Sequence, residues 1–137
     1  MTTNSNPEMP EVLVLEDDPS TVSILTIWLR GIVNLTIAVD GDHALQIIND
    51  WHTEGKVFDI MLFDINIPFP WNGLTLKAEI LNRWGVYRGR PFIAETAYAM
   101  PNDRHRILEA GFVDYLAKPL DRKTTTDVIR QHFPTPV

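Results

Sequence analysis

Five short apolar runs, each followed by an amphipathic stretch, recur in strict alternation from residue 12 onward, and this pattern constrains the fold more than anything else in the chain. The runs cover residues 12–15, 35–39, 58–63, 92–96 and 113–117. The first intervening stretch opens at Asp18-Pro19, with Asp suited to an N-cap and Pro to a first helical turn that needs no N–H. Val22, Leu25, Trp28 and Leu29 then fall at helical spacing, and Gly31 closes the helix. The second helix buries Ala44, Leu45, Ile48 and Trp51 and ends at Gly55. A Pro-rich loop over 68–73 precedes a third helix carrying Leu74, Ala78, Leu81 and Trp84. The fourth is expected over 102–110, stopped by Gly111, and the fifth over 121–133, ended by Pro134.

Alternation of this kind implies an α/β fold: a parallel sheet with helices on both faces. Right-handed crossovers leave few arrangements, and a doubly wound five-stranded sheet of order 2-1-3-4-5 with five helices is the expected one. Strands one and three are then neighbours at the topological switch point, and ligands bind beyond their carboxyl ends. Residues 1–10 read as a flexible leader, 11–133 as one domain and 134–137 as a short tail, with no room for an effector domain.

Composition removes several functions. Twelve basic against 18 acidic residues leave a net charge of −6, which argues against an electrostatic grip on nucleic acid or an anionic membrane. No cysteine is present, so disulfides, thiolate catalysis and cysteine-held metals are excluded. The first residues lack the apolar core of a secretory signal, and no apolar run approaches spanning length. The expectation is a soluble, cytoplasmic protein.

The polar residues that follow the strands carry the function. Glu16, Asp17 and Asp18 follow strand one, Asp64 follows strand three, Thr96 ends strand four and Lys118 ends strand five. All project at the same edge of the sheet, and the strand order brings Asp17 and Asp64 together with Thr96 and Lys118 alongside. Asp18 reads as the N-cap of the first helix. Converging carboxylates repel unless a cation lies between them, and oxygen donors without His or Cys favour Mg²⁺. A lysine and a hydroxyl beside that cation make a pocket for a phosphoryl group, with an Asp as its nucleophile.

The segments Val12-Leu13-Val14-Leu15-Glu16-Asp17-Asp18-Pro19, Phe63-Asp64-Ile65-Asn66-Ile67-Pro68, Thr96-Ala97 and Leu116-Ala117-Lys118-Pro119 resemble the signature set of response-regulator receiver domains, whose fold is flavodoxin-like. Ala110-Gly111-Phe112-Val113-Asp114-Tyr115 strengthens the resemblance, which covers about residues 11–133. It implies that Asp64 is the phosphoacceptor and that Glu16 and Asp17 are the acidic pair, Asp17 touching Mg²⁺ and Glu16 acting largely through water. It further implies that Asn66 offers its backbone carbonyl to the metal, that Thr96 and Lys118 hold phosphoryl oxygens, and that the Lys118-Pro119 bond is cis. Tyr115 would be the aromatic that follows Thr96 inward on activation. Asn66 and Tyr98, two residues beyond Asp64 and Thr96, would border the path of hydrolytic water, with Tyr98 prolonging the phosphorylated state.

Three positions depart from the family pattern. The loop between Asp64 and Gly73 is one residue longer, with Phe69-Pro70-Trp71 inside it; Glu95 occupies a position that is commonly apolar; and the acidic pair is Glu-Asp, not Asp-Asp. An acid within an apolar strand must reach water or find a partner, and near Asp64 its charge is expected to slow phosphorylation. Trp71 is expected to pack onto the third helix, with a docking patch shared with Phe69 as the alternative. Trp28, Trp51 and Trp84 read as core, and His43, His52, His105 and His132 as exposed structural residues. Arg83, Arg88 and Arg90 read as solvated charges.

The leading expectation is a stand-alone receiver, phosphorylated on Asp64 by a histidine kinase or phosphotransfer protein, catalysing its own transfer and slow dephosphorylation, and signalling through a downstream protein. A magnesium-dependent phosphatase with an aspartyl nucleophile is the enzyme alternative; such enzymes place a second Asp where this chain has Asn66. A receiver-like module that is never phosphorylated rests on Glu95 and the lengthened loop. An FMN site is weaker, because no Ser/Thr/Gly-rich phosphate loop follows strand one.

Overall fold

Alternating β-branched and large apolar residues build a sheet whose two faces are both buried. The computed structural model describes residues 8–97 and 101–134. Tyr98, most of the expected leader and the last three residues of the expected tail lie outside them. The strands are β1 (Glu11–Leu15), β2 (Asn34–Ala38), β3 (Ile60–Asp64), β4 (Phe92–Thr96) and β5 (Asp114–Ala117). The α-helices are α1 (Pro19–Leu29), α2 (Gly41–Thr53), α3 (Gly73–Arg83), α4 (Pro101–Glu109) and α5 (Arg122–Gln131). All strand pairs are parallel and the order is β2-β1-β3-β4-β5, as the alternation predicts.

The period of two divides the core. Leu13, Leu15, Met61, Phe63, Phe92 and Ala94 pack against Leu76 and Ile80 of α3, Ala44 and Ile48 of α2, and Ile107 of α4. Val12, Val14, Ile60, Leu62, Ile93 and Leu116 pack on the other face, against Leu25 and Leu29 of α1 and Ile129 of α5. The same parity, carried to the strand ends, places Glu16, Asp64, Glu95 and Lys118 on the α1/α5 face. Thr96 follows Ala94 on the α2/α3/α4 face.

Helix starts follow the polar residues that precede them. Asp18, Asp40 and Asp121 each accept a hydrogen bond from the backbone three residues on, and Asn72 caps α3 reciprocally with Thr75. Element edges differ from expectation by a few residues. The third strand begins at Ile60 rather than Phe58, because Phe58 instead stacks on Trp51 at 3.8 Å and donates its N–H to the Tyr87 hydroxyl at 3.2 Å. Tyr87 belongs to a single 3₁₀ turn, Gly85–Tyr87, that apolar periodicity does not signal. At the amino-terminal end, Met9 and Pro10 are tied down, both carbonyls accepting from Asn34.

Candidate functional site

Each side chain of the expected site is placed by the end of a strand. β1 delivers Glu16 and Asp17, β3 ends in Asp64, β4 ends in Thr96, and Lys118 follows β5. The backbone ladder runs on past the strands, with Ile65 N–H donating to the Glu95 carbonyl and Lys118 N–H to that of Thr96. These bonds hold the strand ends level, so the functional groups share one rim.

Lys118 Nζ donates to Asp64 Oδ2 at 2.7 Å and lies 3.4 Å from Glu16 Oε1. The other Asp64 oxygen, Oδ1, accepts from the Asn66 backbone N–H at 2.9 Å. Glu16 Oε2 accepts from the Asp18 backbone N–H at 3.1 Å. Glu16, Asp64 and Thr96 are buried, whereas Asp17 is exposed at the mouth. Burial raises the Glu16 carboxyl above its usual range, and nearby Asp64 adds to this, although the Asp18 N–H and Lys118 pull the other way. For Lys118, burial alone favours the neutral amine. The hydrogen bond from Lys118 to Asp64, with the charges of Asp64, Glu16 and Glu95, outweighs burial and raises the lysine above its ordinary value.

One oxygen each from Glu16, Asp17 and Asp64 come within 4.8 Å of one another. Three hard oxygen donors gathered so closely fit a small divalent cation, the donor class Mg²⁺ prefers. Asn66 reaches the site through its N–H. Asp18 stays on its capping duty, accepting from the N–H and hydroxyl of Thr21. Beside Thr96 a cavity of about 120 Å³ is lined by Asn66, Ile65 and, from α4, Asp103, Arg106 and Ile107. No motif announces Asp103 and Arg106, since only the packed position of α4 brings them there.

A family profile described as the response regulator receiver domain matches residues 12–130. The chain is a receiver domain. Among relatives, the hybrid signal transduction histidine kinase I of Dictyostelium discoideum is 33% identical over 121 residues, 87% of this chain but 7% of that protein. A 14.6 kDa protein of Leptolyngbya boryana is 30% identical over 126 residues, 89% of this chain and 88% of that one. The receiver domain of the Pseudomonas aeruginosa sensor histidine kinase PA1611, solved with magnesium coordinated in its active site cleft, is 30% identical with a TM-score of 0.73, over 90% of this chain and 97% of that one. The chain spans only 7–13% of the length of the sensor kinases it matches. Among the described residues, no helix is long and apolar enough to cross a membrane.

The Lys118-Pro119 bond is cis, as the resemblance implies, and Phe69-Pro70 is a second cis bond that nothing foretold. Tyr115 is half-buried, with the Arg104 guanidinium 5.6 Å from its ring. The lengthened loop leaves the chemical groups in place. Its ends are pinned by Gly73 N–H on the Ile65 carbonyl and by the Trp71 indole N–H on Asp42 at 2.9 Å. Trp71 lies on the first turn of α2, where Gly41 leaves room for its ring, and packs against the core cluster that includes Leu76 and Ile80 of α3. Phe69 is 94% exposed. Trp84 is buried, while Trp28 and Trp51 are half-buried against the core. His43 accepts from the Val39 N–H, His105 pairs with Glu109, and half-buried His132 lies 3.4 Å from Asp114. Half-buried Arg90 is not simply solvated, since it pairs with Asp59 at 3.1 Å.

Proposed function

We propose that this receiver accepts a phosphoryl group on Asp64 from a histidine kinase or phosphotransfer protein and passes the signal on by protein contact. The observation that carries the reading is Lys118 held 2.7 Å from a buried Asp64, beside the convergent oxygens of Glu16 and Asp17. In the transfer, an Asp64 carboxylate oxygen forms the new O–P bond as the donor's P–N bond breaks, and the departing imidazole keeps the electron pair. Lys118 approaches from the α5 side and Thr96 from the α4 side, so together they flank the phosphoryl oxygens, the ammonium supplying charge and the hydroxyl a hydrogen bond. Glu16, Asp17 and Asp64, with the Asn66 carbonyl, would hold Mg²⁺, which neutralises the negative charge gathered on carboxylates and phosphoryl oxygens. The Asn66 N–H fixes Asp64 Oδ1 and so orients the nucleophile.

Dephosphorylation by water would be slow, since Asn66 can hydrogen-bond a water but cannot take its proton. The same side chain counts against an aspartyl phosphatase, which needs an acid at that position. Incubation with acetyl phosphate and Mg²⁺, followed by intact-mass measurement, tests the reading. One phosphoryl adduct on the parent and none on Asp64→Asn is expected. An unmodified parent, under conditions that modify another receiver, would overturn it.

A further inference from the structure

Glu95 is fully buried, and the chemistry above leaves it unused. Its exposure is 0%, and neither carboxylate oxygen has a hydrogen-bond partner among the described residues. Burying polar oxygens without partners is unfavourable, so a site that keeps them invites a functional explanation. In the sheet register Glu95 lies directly beside Asp64 on one side and Leu116 on the other. Its parity puts it on the same face as Asp64 and Lys118. To reach Asp64 on β3, and Glu16 beyond it on β1, Lys118 must cross β4 from β5. Glu95 occupies the β4 position beneath that crossing. The charged groups acting on it are Glu16, Lys118 and Asp64.

An ammonium has three N–H donors, and Lys118 directs them at two carboxylates, Asp64 and Glu16. A phosphoryl donor or a cation that engages Asp64 at Oδ2 competes with the 2.7 Å contact and loosens it. Over an apolar neighbour, the released ammonium keeps Glu16 and finds the phosphoryl oxygens. Over Glu95 it finds a further acceptor along its own path. That acceptor works as carboxylate or as carboxylic acid, because a carbonyl oxygen accepts in either form.

We propose that Glu95 is a positioning residue for Lys118, an acceptor that takes up the ammonium when Asp64 is engaged and thereby slows phosphoryl transfer. The proposal rests on Asp64 being the phosphoacceptor and names a restraint built into that same site.

The test measures initial rates of modification by acetyl phosphate with Mg²⁺, by intact mass, for the parent, Glu95→Leu and Glu95→Gln, each with and without Lys118→Met. It is joined by nitrogen-15 NMR of the Lys118 ammonium in Mg²⁺-saturated protein without donor. Glu95→Leu should be roughly tenfold faster than the parent, the scale of one hydrogen bond. Glu95→Gln, which keeps the acceptor, should stay within about twofold of the parent on the same scale. The acceleration should vanish in the Lys118→Met background, since only the lysine can transmit it. The ammonium protons should exchange slowly in the parent and in Glu95→Gln, and rapidly in Glu95→Leu. The proposal is overturned if Glu95→Leu is no faster, if Glu95→Gln is equally fast (which would assign the effect to charge alone), or if the acceleration survives without Lys118. Should no protein be modified, the parent included, the phosphoacceptor reading fails. The ammonium exchange then decides the Glu95–Lys118 contact by itself.

Discussion

Lys118 and Asp64 meet at 2.7 Å although they belong to strands that are not neighbours, with β4 lying between them. The contact therefore spans the sheet and ties β5 to the switch point at β1 and β3. It also gives the buried carboxylates of Asp64 and Glu16 a shared counter-ion. Any group that lands on Asp64 is felt directly at the end of β5, and Tyr115 sits three residues upstream on that strand. On the proposed reading, one side chain would join a chemical event at Asp64 to the end of β5.

Replacing Lys118 by Met should slow modification of Asp64 by small donors by about 10- to 100-fold, the range of a lost charge-assisted hydrogen bond. Modification should still occur, since the nucleophile and the acidic cluster remain. The same change strands Asp64 and Glu16 without a cation. The metal-free variant should be less stable in urea by about 1–3 kcal/mol, less than a fully buried pair would show because Lys118 is partly exposed. Saturating Mg²⁺ should restore part of that loss. Unchanged rates and an unchanged urea midpoint would remove Lys118 from the site.

Asp17 contributes an exposed carboxylate whose oxygen lies within 4.8 Å of those of Glu16 and Asp64. It caps no helix, a duty Asp18 holds. Asp17→Asn should therefore weaken Mg²⁺ by at least about tenfold in calorimetry, with little change in metal-free stability. Equal affinity in the two proteins would exclude Asp17 as a ligand.

Most of the candidate site was legible because its residues stand at strand ends, where alternation and order alone bring them together. Glu16, Asp17, Asp64, Thr96 and Lys118 needed only the topology. The dual-sided burial of β3 was likewise visible in its unbroken apolar run. What stayed hidden depended on packing between elements distant in sequence. Trp71 settles on α2 because Gly41 has no side chain, a complementarity across 30 residues that no periodicity encodes. Tyr87 folds under Phe58 from a single 3₁₀ turn too short to show a period. Glu95 was visible as an anomaly, but its lack of partners could be seen only once its neighbours were in place.

The Trp71–Gly41 contact yields a third expectation. A Cβ at Gly41 would run into the indole, and Trp71 is also held by Asp42. Gly41→Ala should expel the ring, costing about 1–3 kcal/mol by overpacking. The helix preference of Ala over Gly, about 0.5–1 kcal/mol, works in the other direction. Because the ring anchors the loop that begins at Asp64, Gly41→Ala should also alter the loop's amide exchange. An exchange pattern matching the parent's, with no loss of stability, would show that the clamp is dispensable.

The last expectation concerns Glu95 and pH in metal-free protein. Burial raises its carboxyl well above the ordinary value of 4.5; Glu16 and Asp64 add to this, and Lys118 opposes it. Between the ordinary value and the raised one, native protein holds a proton that the unfolded chain has already released. Stability contributed by this group is thus fully present below about pH 4.5 and is lost as pH rises toward the native value. Glu95→Leu has no such group and fills the space with apolar atoms. Its stability advantage over the parent should therefore widen with pH, at a slope of at most about 1.4 kcal/mol per pH unit. Glu16, also raised by burial, is present in both proteins and cancels to first order. Urea denaturation of the two proteins with chelator, from about pH 5 to about pH 8, reads the difference. An advantage that stays level across that range would mean that Glu95 is ionised in the native state as in the unfolded one, with Lys118 as its partner already before any group reaches Asp64.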